Sequence, residues 1–294
     1  MSRSGEAGIP IGEAGIQIGE AGIPNGEAGI PIGVFDSGVG GLTVLRALRS
    51  AMPAENFVYL GDTARLPYGT KSAETVIRYS LQCAAALIKR RIRALVVACN
   101  TASASALDAL RLQHPALPVI GVIEPGAEAA VAASRSQHIA VIATEGTISG
   151  GAYETAIHRL SPSARVTSRA CSLFVSMAEE GWSEGPIAEA VARRYLDPIF
   201  QAGDAPDTLV LGCTHFPALA AAISAVLPPD VSIVDSAATT AAAVLGRLDG
   251  HSGAPGGRGA VSWLATDGAA RFARVGSIFL GETLHAETVE IIDL

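Results

Sequence analysis

The chain has 294 residues, of which 49% are hydrophobic and 17% charged, with a formal net charge of −7. That is enough apolar material for one large domain or two ordinary ones, and the charges form no basic stripe of the kind that binds nucleic acid. The sequence does not open with a basic segment and a long apolar run, and no apolar segment reaches the roughly 20 residues of a membrane helix, so it predicts a cytoplasmic protein without membrane or nucleic-acid partners.

Residues 5–32 are four tandem copies of the unit Gly-Glu-Ala-Gly-Ile-Pro-Ile, varied mainly at Gln17 and Asn25. A period of seven suggests a coiled coil, but two glycines and usually a proline per unit cost a helix about 1 and 3 kcal/mol each relative to Ala. The segment is expected to be an extended or disordered tail covering residues 1–31, with partner binding as the alternative.

The globular part opens with an apolar strand at 32–35, the turn Asp36-Ser37-Gly38-Val39-Gly40-Gly41 and a helix through Leu42, Leu45 and Leu48. A strand over 57–60 ends in Gly61-Asp62-Thr63, and Ile77, Leu81, Ala84 and Ile88 stripe a helix over 72–91. Strand 94–98 then runs through Cys99-Asn100-Thr101 into an alanine-rich helix, and a strand over 119–123 is broken by Glu124-Pro125-Gly126.

The second half restarts with strand 139–143, the turn Thr144-Glu145-Gly146-Thr147 and a helix within 149–160. Strand 208–212 leads into Cys213-Thr214-His215 and a helical run from Pro217, and strand 231–234 into a helix ending near Leu248. After a glycine-rich loop over 249–259, strand 261–265, helix 269–279 and strand 288–292 close the chain. The expected fold is therefore α/β, with two related halves. Its division is 32–123 with 239–294 as the first domain and 124–238 as the second.

In open α/β sheets, ligands bind beyond the carboxyl ends of the strands. Asp36, Asp62, Cys99, Thr144 and Cys213 all occupy such positions. A thiol at a helix N-terminus is expected to have a lowered pKa, and Cys99 and Cys213 sit at two matched strand-to-helix turns. Cys83 and Cys171 lack such surroundings and read as core residues, and the absence of CxxC fits reduced thiols. Asp36 can take a proton, hold an ammonium group or cap the next helix, while His215 stands within reach of Cys213. His114, His138, His158, His251 and His285 have neither acidic nor thiol neighbours and read as surface residues.

Other chemistries fit less well. The glycine turn after Asp36 does not match GxGxxG. Cys99, Cys213 and His215 would make a Cys2His zinc set, but no local pair has the usual ligand spacing, so no metal is expected. A pyridoxal cofactor needs a Schiff-base lysine, and the two lysines, Lys71 and Lys89, read as solvated side chains; no cofactor is expected.

Five stretches together resemble the bacterial glutamate racemases, within the cofactor-independent aspartate/glutamate racemases: residues 36–41, 62–69, 98–102, 121–126 and 211–217. The resemblance implies two pseudo-symmetric three-layer α/β domains with mostly parallel sheets and the active site in the cleft between them. It implies that Cys99 and Cys213 flank the substrate α-carbon, assisted by Asp36 and His215. Asp36, Ser37, Tyr68, Gly69, Asn100, Thr101, Thr214 and His215, helped by Thr144 and Thr147, would then hold the amino acid. The implied substrate is glutamate, the product D-glutamate for peptidoglycan, and the assembly a homodimer. An aspartate racemase and a catalytically silent amino-acid-binding protein are the alternatives. The chain departs from the family pattern at 171–176, before Glu179-Glu180, where prolines are usual.

Overall fold

The period-two alternation of the first strands decides the layering. In β1 (Ile32–Asp36), β2 (Phe57–Gly61) and β3 (Ala94–Val97), the residues Ile32, Val34, Phe57, Tyr59, Ala94 and Val96 face one way, and Phe35, Val58, Leu60, Leu95 and Val97 face the other. Leu42, Leu45 and Leu48 of α1 (Leu42–Ala51) pack on the first face. The second face is covered by Val76, Cys83 and Leu87 of α2 (Ala73–Lys89) and by Ala102, Ala106 and Leu110 of α3 (Asn100–Gln113). Covered on both faces, these strands have no polar side to show, which is why they read as continuous apolar runs. The computed structural model describes residues 29–248 and 258–294. The expected tail up to residue 28 and the glycine-rich loop over 249–257 lie outside the described residues.

The chain continues through β4 (Val119–Gly121), α4 (Ile123–Ala133), β5 (His138–Ala143), α5 (Glu145–Ser149), α6 (Ala152–Leu160) and β6 (Arg165–Ala170). Then follow α7 (Leu173–Glu179), α8 (Gly185–Phe200), β7 (Thr208–Gly212), α9 (Ala220–Ser224), β8 (Ser232–Asp235), α10 (Ser236–Arg247), β9 (Val261–Ala265), α11 (Ala269–Leu280) and β10 (Val289–Ile291). One sheet has the order β10-β9-β2-β1-β3-β4 and the other β6-β5-β7-β8, with every neighbouring pair parallel. The order β2-β1-β3-β4 is thus repeated as β6-β5-β7-β8, and β9 and β10 extend the first sheet. Cys99 follows β3, and Cys213 follows β7, its counterpart.

Three readings of the sequence are corrected. The strand expected to reach residue 123 stops at Gly121, and Glu124-Pro125-Gly126 lies in the first turn of α4 rather than in a break. A proline is tolerated there because an N–H in the first turn has no intrahelical partner. The helix expected within 149–160 is α6, but the turn expected over 144–147 runs into a further short helix, α5, parted from α6 at Gly150 and Gly151, the latter with a left-handed φ of 60°. The strand β6 and the helices α7 and α8 have no counterpart among the expected elements; β6 is a half-buried edge strand, Arg-Val-Thr-Ser-Arg-Ala, without an apolar run.

The two sheets face each other closely at glycines. A Cβ on Gly40 would fall 2.4 Å from both His215 Nδ1 and Thr214 Oγ1, and one on Gly69 would fall 2.6 Å from Thr144 Cβ. Beside Gly40, Thr43 Oγ1 donates to the Gly40 carbonyl at 2.9 Å and to the Thr214 carbonyl at 3.2 Å. Gly40→Ala is therefore expected to destabilise the fold by about 1 to 3 kcal/mol through overpacking. Gly203, where an added Cβ would meet nothing within 4 Å, is the neutral control. Urea unfolding of both alanine variants checks the difference.

Candidate active site

Asp36 ends β1 with no exposed surface, and its Oδ2 accepts the Gly38 N–H at 2.9 Å. Burial raises its pKa, against the positive charge of His215 and the N–H groups of Gly41, Gly38 and Ser37. Cys99 caps α3, its sulfur accepting the Ala102 N–H at 3.5 Å and its thiol donating to Ser37 Oγ at 3.5 Å. The expectation of a lowered thiol pKa at this helix N-terminus is not met. Burial, with the charge of Asp36 beside it, pushes Cys99 up to about 12, more than the Ala102 and Ser37 contacts recover.

On the other side of the cleft, Cys213 Sγ lies 3.9 Å from His215 Nδ1, and His215 Nε2 lies 3.2 Å from Glu179 Oε1. Burial disfavours charge on this imidazole. Its hydrogen bonds to Cys213 and Glu179, with the charges of Cys213 and Asp36, outweigh burial and push it up to about 10. Glu179 is in turn held below the usual carboxylate range: burial works the other way, but His215 and Arg271 prevail.

The polar walls are ordered by hydrogen bonds. The hydroxyls of Thr101, Thr144 and Thr147 form a triangle with all three sides 3.0 Å. Asn100 Oδ1 accepts from Tyr153 OH at 2.8 Å, and its buried Nδ2 has no partner among the described residues. The Tyr68 hydroxyl is occupied by Asp62 Oδ2, which also accepts from Arg65 Nε at 2.7 Å, while Asp62 Oδ1 accepts from Thr266 at 2.9 Å. Tyr68 and Gly69 therefore enter the site as a wall braced from behind by a fully buried carboxylate.

Ser37, Tyr68, Gly69, Cys99, Asn100, Thr101, Thr144, Cys213, Thr214 and His215 line one cleft. Asp36 and Thr147 stand behind that lining, Asp36 acting by charge on Cys99 and His215 and Thr147 through the threonine triangle. Sequence reasoning missed Tyr153 and Arg271 and gave Glu179 no role; nothing beyond its place in the pair Glu179-Glu180 marked it. Cys83 and Cys171 are buried as expected. His138 is a correction: it is buried at the opposite end of β5 from the cleft, its Nε2 2.8 Å from Thr167 Oγ1 and its Nδ1 beside Arg165.

Two α/β lobes of matching strand order, each delivering one cysteine to a shared cleft, make this a two-lobed protein with a paired-thiol site. The profile of the Asp/Glu/Hydantoin racemases matches residues 32–244, and the chain belongs to that family. A relative from Geobacter metallireducens named glutamate racemase is 52% identical over 255 residues, 86% of this chain and 93% of that protein. A glutamate racemase from Francisella tularensis, solved in complex with D-glutamate, is 37% identical with a TM-score of 0.82, covering 90% of this chain and 97% of that one. One from Thermus thermophilus, in complex with β-chloro-D-alanine, is 42% identical with a TM-score of 0.79 and the same coverage.

The raised pKa of His215 has a sign that stability measurements can read. With a folded value of about 10 against about 6.5 for a free histidine, its charged contacts contribute fully below pH 6.5. That contribution is lost as pH rises through 10. The difference in melting temperature between the wild type and His215→Asn is expected to be largest at pH 5.5 to 6.5 and to shrink towards pH 10.

Proposed function

We propose that this protein interconverts L-glutamate and D-glutamate without a cofactor, Cys99 and Cys213 exchanging protons with opposite faces of the α-carbon. One observation carries this reading: thiols from equivalent strand ends of the two lobes line a single cleft. The glutamate racemase relatives, which this chain matches over nearly their full length, support glutamate as the substrate.

The reaction breaks a weakly acidic C–H bond on one face and makes one on the other. The thiolate on one side removes the α-hydrogen, and the thiol on the opposite side donates its own proton to the resulting carbanion. The two cysteines end with their protonation states exchanged, ready for the reverse direction. Each well-placed acid or base contributes about 10² to 10⁴ in rate. Cys99, pushed up to about 12, starts as the thiol, and the charge of Asp36 behind it helps to keep it so until the carbanion forms. Cys213 exchanges its proton with His215, whose Nδ1 is 3.9 Å away.

Asn100 Nδ2, a buried donor without a partner among the described residues, and the hydroxyls of Ser37, Thr101, Thr144 and Thr214 hold the polar groups of the substrate. The N-terminus of α3 stabilises charge developing on the α-carboxylate, and closure of the lobes excludes water. Residues 32–123 with 239–294 form one domain of this cleft and 124–238 the other. Strand membership supports the division, with β1 to β4, β9 and β10 in one sheet and β5 to β8 in the other. The enzyme works in the cytoplasm as a homodimer and supplies D-glutamate to peptidoglycan synthesis.

Circular dichroism of L-glutamate and L-aspartate solutions after addition of the protein is the deciding assay. Loss of signal with glutamate is expected. Loss with aspartate alone would make the protein an aspartate racemase, and no loss with either would leave an amino-acid-binding protein. Cys99→Ser and Cys213→Ser are each expected to abolish racemisation while the melting curve is retained; full activity in either variant refutes the two-thiol mechanism. In deuterated water the product is expected to carry deuterium at the α-carbon.

A further inference from the structure

Glu179 closes α7, on the lobe of the second sheet, and divides its carboxylate between two partners. Oε1 faces His215 Nε2 at 3.2 Å, and Oε2 accepts from Arg271 Nη2 at 2.6 Å. Arg271 belongs to the other lobe. It lies in the first turn of α11, which packs on the first sheet through Phe272 against Tyr59, with ring centroids 6.0 Å apart. A cation in the first turn meets the positive end of the helix dipole, so the helix itself gives no reason for an arginine there.

The reason lies across the cleft. Arg271 does not line the substrate cleft; it faces an adjoining cavity that shares only Leu66 and Glu179 with it. The same helix reaches His215 directly as well, since the Phe279 ring meets the imidazole edge-on at 5.0 Å and 74°. His215 is thus held between Cys213 on one nitrogen and Glu179 on the other, with α11 fixing both Glu179 and the flank of the ring.

We propose that Arg271 is a positioning residue which, through Glu179, holds the His215 imidazole against Cys213 and so sets the proton transfer on the Cys213 face of the substrate. This rests on the racemase reading above. The arginine side chain is half exposed, so replacing it leaves the fold intact.

Deuterium at the α-carbon provides the test. On the enantiomer whose hydrogen faces Cys213, the label travels through the Cys213 transfer; on the other enantiomer it travels through the Cys99 transfer. Arg271→Ala slows only the first. Its deuterium effect on kcat/KM is expected to rise for one enantiomer and fall towards unity for the other. The value of kcat/KM itself drops roughly fivefold, the scale of a half-exposed ion pair. That drop is equal in both directions because the enantiomers have equal free energy. Arg271→Lys, which keeps the charge, is expected to retain the wild-type pattern, and Arg271→Gln to behave like the alanine variant.

Unchanged isotope effects, or effects that move the same way for both enantiomers as a general loosening would produce, overturn the proposal. Failure of the wild type to racemise glutamate refutes the racemase reading and takes this inference with it. Racemisation by the wild type with an unaffected Arg271→Ala refutes this inference alone.

Discussion

The structure depends on two parallel sheets of the same strand order turning their carboxyl ends towards one another. In a parallel sheet all strands end on one edge, and where the connections diverge on either side of a strand a crevice opens at that edge. β1 and β3 form that point in the first sheet, β5 and β7 in the second. Asp36, Cys99, Thr144 and Cys213 follow or end those four strands, so facing the two edges brings all four to one place. The approach is only as close as the turns permit, and it is glycine at 40 and 69 that lets backbone lie against the side chains of the opposite lobe.

Within that cleft, burial decides the electrostatics more than helix termini do. A helix N-terminus stabilises a nearby anion by about 0.3 to 1 kcal/mol, and up to about 2 in partly buried geometry. Removing a charge from water shifts a pKa by as much as roughly 3 to 5 units, several kcal/mol. Cys99, at the start of α3 and almost fully buried beside Asp36, is the case in which the larger effect wins. His215 is equally buried and yet carries its charge, because both nitrogens meet groups that accept from them and Asp36 adds a further negative charge. The difference between the two is the sign of their neighbours, not the depth: the charge of Asp36 opposes a thiolate and favours an imidazolium.

What can be read from the sequence follows from the same physics. Strands covered on both faces are continuous apolar runs, so β1, β3, β5 and β7 and the polar turns after them stand out, and with them most of the cleft. β6 does not, since an edge strand of Arg, Thr and Ser has the composition of a loop. The start of α4 misleads because Pro125 ends helices everywhere except the first turn, where it sits. The braces of the site are invisible for another reason. Tyr153 reaches Asn100 across 53 residues of sequence, Glu179 reaches His215 across 36, and Arg271 reaches Glu179 across 92. No local pattern announces a partner at such separations, whereas His215 lies two residues from its thiol.

The pseudo-symmetry of the lobes holds for the order of four strands in each and is broken in chemistry. Two positions after each cysteine, the first lobe has Thr101 and the second His215, and each reaches the strand-end residue of the opposite lobe. Thr101 shares a hydrogen bond of 3.0 Å with Thr144, whereas His215 faces the buried charge of Asp36. The first is a neutral hydrogen bond and the second an interaction of charges. The charge of Asp36 also bears on Cys99 in its own lobe, while His215 lies 3.9 Å from Cys213. The asymmetry is therefore electrostatic: one buried carboxylate at the end of β1 opposes charge on the cysteine of its own lobe and favours it on the imidazole of the other.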